Sequence, residues 1–152
     1  MKIKKMRYLV LMLGLLTGFG LTGNDTLFKE VTQAGAAATE KKYPDSDTVL
    51  LYNKEKIRYD EKGLSNSTDE YYQKVLTEKG KKLLRSFTFH FNSTYETLTI
   101  EKAEIIRNGK IIKINPAENS KISIEPGQMG SNIYDPANKI LTLAIPDLPA
   151  MP

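Results

Sequence analysis

From residue 46 onward, apolar and polar residues follow one another in short runs that Gly, Asn, Asp or Pro interrupts. The runs alternate with a period of two or are rich in β-branched residues, a pattern typical of strands. They cover residues 47–52, 56–59, 67–76, 84–91 and 98–107. No segment keeps an apolar period of 3.6 residues, so the sequence predicts strands and turns without a long helix.

The clearest strand is predicted over Leu84–Phe91. Phe87, Phe89 and Phe91 lie two residues apart, so their rings point to one face of the strand. Burying such a ring contributes about 1.5–3 kcal/mol, which is large beside a net domain stability of roughly 5–15 kcal/mol. We therefore expect this face in the core, with an exposed aromatic binding platform as the alternative.

A β-hairpin is predicted around Asn108-Gly109. β-rich runs at Leu98–Arg107 and Lys110–Asn115 flank this pair, and Asn-Gly accepts a positive φ at both turn positions. Further strands are predicted at Ile122–Ile124 and Lys139–Ile145. Six to eight short strands with polar turns predict an all-β fold, an antiparallel β-sandwich, with an open barrel as the alternative.

Residues 1–23 have the pattern of a secretory signal peptide. Met1–Arg7 is basic, and Tyr8–Gly23 is an uncharged apolar stretch of 16 residues. A membrane-spanning helix needs roughly 20 apolar residues, so an uncleaved N-terminal anchor is the alternative and the one membrane contact that we expect. Cleavage is expected between about residues 20 and 38, either near Gly20–Gly23 or among the small residues Ala34–Ala38.

Residues 24–42 are predicted to be a flexible linker, because Leu27, Phe28 and Val31 would form one helical turn at most. The folded domain is predicted to span residues 43–152, since Pro44 favours an extended conformation at the residue before it. The signal peptide predicts an exported protein, located in the periplasm or outside the cell.

Composition narrows the chemistry that the chain can perform. There is no Cys and one His, which excludes disulfides, thiol nucleophiles, Cys-based zinc sites and His-pair metal motifs. Five basic and two acidic residues before residue 39 account for +3 of the net charge of +4. The remainder lacks the clustered basic residues that bind nucleic acid. We predict no cofactor, no metal and no nucleic-acid partner.

Two kinds of side chain are candidates for function. Tyr71, Tyr95 and Tyr134 are candidates for stacking on sugar rings, which would make the chain a stand-alone carbohydrate- or surface-binding module of the cell envelope. His90 is a candidate general base of a hydrolase, because its unperturbed pKa lies near neutrality. No spacing places a nucleophile beside it, so a strand position on the less buried face is the simpler interpretation.

Four stretches follow one another in an order typical of one known family. They are YPDSDTVLLY at residues 43–52, KVLTEKG at 74–80, NSTYETL at 92–98 with AEI at 103–105, and NGKII at 108–112. Together they resemble the domain that precedes transglutaminase-like domains in many exported bacterial proteins, the domain of unknown function 3857. The resemblance covers about residues 43–148.

The resemblance implies a β-sandwich accessory module without catalytic residues, since the Cys-His-Asp set of such proteins belongs to the downstream transglutaminase-like domain. It implies a transglutaminase-like domain as the partner, and another envelope protein or a glycan is the alternative partner that we expect. The family pattern continues beyond Pro146-Asp147-Leu148, so we expect a domain truncated at its C-terminus that lacks its last strand. The leading hypothesis is an exported, non-enzymatic module that binds or positions a partner.

Overall fold

Two β-sheets and one long helix form three layers. A computed structural model describes residues 2–11, 25–128 and 134–146. Residues 12–24, which include most of the predicted apolar stretch, lie outside the described residues. So does the chain from residue 147 onward, where the predicted truncated end lies. The elements, in chain order, are β1 Lys2–Leu11, α1 Asp25–Ala37, β2 Thr48–Tyr59, β3 Ser65–Val75, α2 Glu78–Leu83, β4 Ser86–Asn92, β5 Glu96–Arg107, β6 Lys110–Ile114, α3 Pro116–Asn119, β7 Ser120–Ile124 and β8 Asn138–Ala144.

The strands form a five-stranded sheet, in the order β2-β3-β1-β5-β6, and a three-stranded sheet, in the order β4-β8-β7. Pairs β2–β3, β5–β6, β4–β8 and β7–β8 are antiparallel, as predicted. Strand β1 runs parallel to both of its neighbours. The all-β sandwich is confirmed, with eight strands in the described part of the chain. Three of them, β2, β3 and β5, are longer than predicted, with 11 or 12 residues each.

The main core lies between the two sheets. Leu143 of β8 is at its centre with 0% of its surface exposed, and Ile105 of β5 reaches it from the opposite sheet. Phe87 is buried in this core, and Phe89 packs against it. Phe91 packs on the adjoining cluster around Leu98 and Leu141. The phenylalanine face predicted from the sequence is therefore confirmed as core.

The hairpin between β5 and β6 turns at the predicted position. Asn108 has a φ of 50° and Gly109 a φ of 70°, so both residues adopt the left-handed conformation that the tight turn requires. Asn tolerates this region better than other residues with a side chain, and Gly does so without strain. Arg107 and Lys110 pair directly across the turn, which fixes the register of the hairpin.

Helix α1 replaces most of the predicted flexible linker. Val31, Gly35 and Ala38 form a buried stripe, and Val31 packs on Tyr72 of β3 and Ile106 of β5. The linker prediction is wrong for residues 25–37, because the positions that continue the helical period after Val31 are the small residues Gly35 and Ala38, which give a weak apolar signal. The contacts with the outer face of the five-stranded sheet stabilise this helix more than its own propensity does.

Helix α2 begins directly after the predicted strand at residues 67–76. The side chain of Thr77 accepts a hydrogen bond from the Gly80 backbone N–H at 3.1 Å, so Thr77 is the N-cap of a six-residue helix. A polar run with Thr, Glu and Gly is compatible with both a turn and a capped helix. The capping bond is what selects the helix.

Strand β1 consists of residues that the sequence analysis assigns to the signal peptide. Its backbone register places Arg7 opposite Glu70 of β3 and Lys2 opposite Glu96 of β5. Pairing in the uncut chain does not decide whether the segment is later removed. The signal peptide therefore stays a prediction.

Candidate functional site

Tyr71 belongs to the core. It packs against the main cluster, and its ring centroid lies 6.1 Å from that of Phe87. Burial raises the pKa of its hydroxyl well above the ordinary value. The ring is thus engaged by protein, and Tyr71 is unsuited to stacking on a sugar.

Tyr95 and Tyr134 are exposed and lie at one end of the three-stranded sheet. Their exposed fractions are 67% and 57%. Tyr95 follows the end of β4, where its backbone N–H donates to the carbonyl of Asn92. Tyr134 precedes Asp135, whose carboxylate accepts a hydrogen bond from the Asn92 side chain at 2.9 Å. The fold therefore brings these two predicted tyrosines to the same end of the molecule.

A hydrogen-bond network fixes the backbone between the two tyrosines. The Asn92 amide also donates to the Asn138 side chain at 2.8 Å. Asp135 accepts a bond from the Ala137 N–H at 2.8 Å, and its own N–H donates to Gln128 at 2.9 Å. These bonds join the β4–β5 turn to the start of β8. An ordered backbone of this kind is a suitable support for two exposed aromatic rings.

His90 lies on the exposed face of β4, as the simpler interpretation predicts. Its Nδ1 is 2.9 Å from Oε1 of Glu125, and 63% of its side chain is exposed. His90, Ser65 and Ser67 line one open cleft with a volume of about 250 Å³. The hydrogen bond to Glu125 connects β4 to the segment after β7, across the intervening β8.

A buried lysine is the most unusual polar feature of the described residues. Lys74, on the α1 side of β3, has 1% of its surface exposed. Its Nζ donates to the carbonyl of Gly35 at 2.7 Å and to the carbonyl of Ala38. Both oxygens belong to the C-terminal end of α1, where backbone carbonyls lack partners within the helix. Lys74 thus caps the helix and holds it to the sheet.

Burial of the Lys74 ammonium group has one unfavourable and one favourable electrostatic effect. Burial lowers the pKa of its ammonium group, because the charged form loses hydration. A cation at a helix C-terminus is favoured by the helix dipole, and hydrogen bonds between an ammonium and carbonyls are stronger than neutral ones. No pattern in the sequence predicts this contact, since a lysine in an alternating strand is normally exposed.

A second junction joins the start of β2 to α2. The Asp47 carboxylate accepts a hydrogen bond from the Thr77 hydroxyl at 2.6 Å and pairs with Lys79 at 2.7 Å. The hydrogen bond with Lys79 is the main reason why the pKa of Asp47 is lowered, and Thr77 adds to it. A Cβ atom at Gly80 would lie 2.0 Å from the Asp47 carbonyl oxygen. The KVLTEKG stretch therefore contains a helix-capping Lys, an N-cap Thr and a Gly that a close approach requires.

In the part of the chain that the structure describes, no three His, Cys, Asp or Glu side chains come together in a way that could hold a metal ion. Within the described ranges, no helix is long and apolar enough to cross a bilayer.

The family described as "Domain of Unknown Function with solved-structure structure (DUF3857)" matches residues 61–148, which is more than half of the chain. The chain belongs to this family, as the sequence resemblance predicts; the match includes three of the four stretches and leaves out residues 43–52. No curated protein and no solved structure matches it. The match begins between β2 and β3, so it includes Lys74 and the junction of Thr77 with Gly80 and leaves out α1.

We expect Lys74→Met to destabilise the chain by about 1–3 kcal/mol, because the Gly35 and Ala38 carbonyls lose their charged donor while the apolar side-chain volume is kept. Trypsin should then cut after Lys29 in α1 faster than in the unmodified chain. Urea unfolding and timed proteolysis measure the two effects.

Lys121→Met is the matched control, because Lys121 lies on β7 with its side chain exposed. It should change the free energy of unfolding by less than about 0.5 kcal/mol. Equal stability and equal resistance of α1 in the two variants would show that Lys74 does not hold the helix.

Proposed function

We propose that the chain is an exported, non-enzymatic accessory module that binds or positions a partner at the cell envelope. Membership of the family supports the module, and the basic and apolar segments at residues 1–23 support export. A transglutaminase-like domain or another envelope protein is the partner we propose, following the family resemblance. The module would be located in the periplasm or outside the cell.

The proposal rests on the contacts that the charged side chains make within the fold. Lys74 holds the end of α1, and the largely buried Glu104 pairs with Lys102 at 2.9 Å. Asp47 connects β2 to α2 through Thr77 and Lys79. Lys74 and Asp47 thus join elements that are distant in the sequence, and Lys102 neutralises Glu104 within β5. Side chains used in this way favour a scaffold over a reaction centre.

The docking of α1 favours one of the two cleavage positions. A cut among Ala34–Ala38 would remove Val31 from its cluster with Tyr72 and would separate Gly35 or Ala38 from Lys74. A cut near Gly20–Gly23 would keep the whole helix. We therefore propose that the mature chain begins between residues 21 and 24 and retains α1.

We expect the exported chain, expressed in full from its own first residue, to give an intact mass that starts between residues 21 and 24. Mass spectrometry of the periplasmic or secreted fraction measures this end. A mature chain that starts between residues 35 and 39 would show that α1 is dispensable. An uncut chain that remains in the cytoplasm would contradict export.

A carbohydrate- or surface-binding module is the second candidate, and the shared position of Tyr95 and Tyr134 favours it. If this candidate is correct, Tyr95→Ala and Tyr134→Ala should each weaken glycan binding by about tenfold, since losing one stacked ring costs roughly 1.4 kcal/mol. Tyr59→Ala is the control, because Tyr59 is 71% exposed on the β2–β3 hairpin. A glycan array followed by titration measures the change.

The accessory module predicts no binding on the array, or binding that the tyrosine variants leave unchanged. Release of soluble fragments from the same glycans or from added peptides, abolished by His90→Ala, would instead establish a hydrolase and contradict both candidates. His90→Ala should otherwise have no effect in this assay.

A further inference from the structure

The centre of the five-stranded sheet depends on one short segment. Strand β1 lies between β3 and β5, and its register runs over nine residue pairs with β3 and ten with β5. Both neighbours run in the direction of β1. If β1 were absent, β3 and β5 would each have an unpaired edge, about 9.6 Å apart at two strand spacings. Unpaired backbone groups of this kind readily take up another strand.

The segment that fills this position also has the sequence of a removable leader. Lys2–Arg7 is the basic part of the predicted signal peptide, and Tyr8–Leu11 begins its apolar part. A cut near Gly20–Gly23 would therefore separate β1 from the rest of the chain. The same ten residues complete the sheet in the uncut chain and would be lost on cleavage near Gly20–Gly23.

We propose that the space between β3 and β5 is a strand-acceptor site for an extended peptide with a basic first half and an apolar second half. Residues 2–11 are its occupant in the uncut chain. After their removal, the site takes a segment of the same pattern from another polypeptide, in parallel register. Cleavage of the signal peptide, which belongs to the proposed function, would vacate the site. The site itself is inferred from the strand order of the sheet alone.

Charge distribution along the flanking strands fixes the pattern and direction of the occupant. The register places Arg7 opposite Glu70, Met6 opposite Asp69 and Lys2 opposite Glu96. Acidic positions therefore outnumber basic ones along the first half of the peptide, where Lys102 of β5, opposite Arg7, is the one basic position in the register. Complementary charges of this kind select a partner and its orientation.

The second half of the site is mostly apolar, although Glu104 is opposite Leu9 and Gln73 and Lys74 are opposite Val10 and Leu11. Val10 and Leu11 are opposite Ile105 and Ile106 of β5. A peptide running the other way would place its basic residues at these positions. Backbone hydrogen bonds on both edges supply affinity for any extended segment, and the two halves supply specificity, as in other cases of strand addition.

The test uses the full chain with a six-residue protease recognition sequence inserted between Leu16 and Thr17. The folded chain is cut and then mixed with a fluorescent probe, a synthetic peptide of residues 2–11. We expect the cut fragment to co-elute with the body and to be replaced by the probe in a saturable way. The uncut chain should exclude the probe, because its own segment occupies the site at high effective concentration.

Two altered peptides are matched controls. A Met6→Pro probe lacks one backbone donor and cannot lie in the centre of a sheet, so it should bind at least tenfold more weakly. A probe with Glu in place of Lys2, Lys4, Lys5 and Arg7 should also bind at least tenfold more weakly, because it meets Glu70 and Glu96 with like charge.

Three results would overturn the proposal. One is a cut chain that loses its fragment, keeps its β-sheet dichroism and does not bind the probe. Another is equal binding of the original and Met6→Pro probes. The third is aggregation of the cut chain that excess probe does not prevent. Because the cut is engineered, none of these results depends on whether the chain is exported.

Discussion

Strand β3 contributes alternate side chains to two hydrophobic layers, and both of its edges are paired with other strands. Tyr71 and Val75 face the core between the sheets, while Tyr72 faces α1. Lys74, two residues after Tyr72, reaches the end of the same helix. The five-stranded sheet lies between α1 and the three-stranded sheet, and β3 contacts both of them, so β3 joins the three layers. A loss of pairing on either edge of β3 would affect the sandwich and the helix together.

Strand β1 was not predicted, because its residues have the sequence pattern of a signal peptide. Strands such as β4 and β8 could be predicted from sequence, because one face of each packs in the core, which imposes a period of two. Phe87, Phe89 and Phe91 show this directly, and Asn108-Gly109 supplies a turn whose conformation few other residue pairs adopt. Helix α1 could not be found in this way. Its stripe is made of small residues, and the donor for its last carbonyls lies 36 or 39 residues away in the sequence.

The candidate site shows the same division between local and distant contacts. Tyr71, Tyr95 and Tyr134 are alike in the sequence, since no pattern there shows which of the three rings is exposed. Only Tyr95 and Tyr134 are brought together, through a hydrogen bond between Asn92 and Asp135, which lie 43 residues apart. The role of Lys74 was likewise hidden by its distance from α1. The alternation of apolar and polar side chains along one strand can be recognised in the sequence, whereas contacts between distant segments are set by the completed fold.

Hydrogen–deuterium exchange in the full chain tests most directly whether β3 is paired on both edges. Leu9→Pro places a proline in β1, and Leu16→Pro places one in the same apolar stretch outside β1. The account predicts that Leu9→Pro accelerates exchange in β3 and β5 at least tenfold, while Leu16→Pro leaves it unchanged. Exchange in β3 and β5 that is equally fast in the unmodified chain and in both variants would contradict a sheet centred on β1.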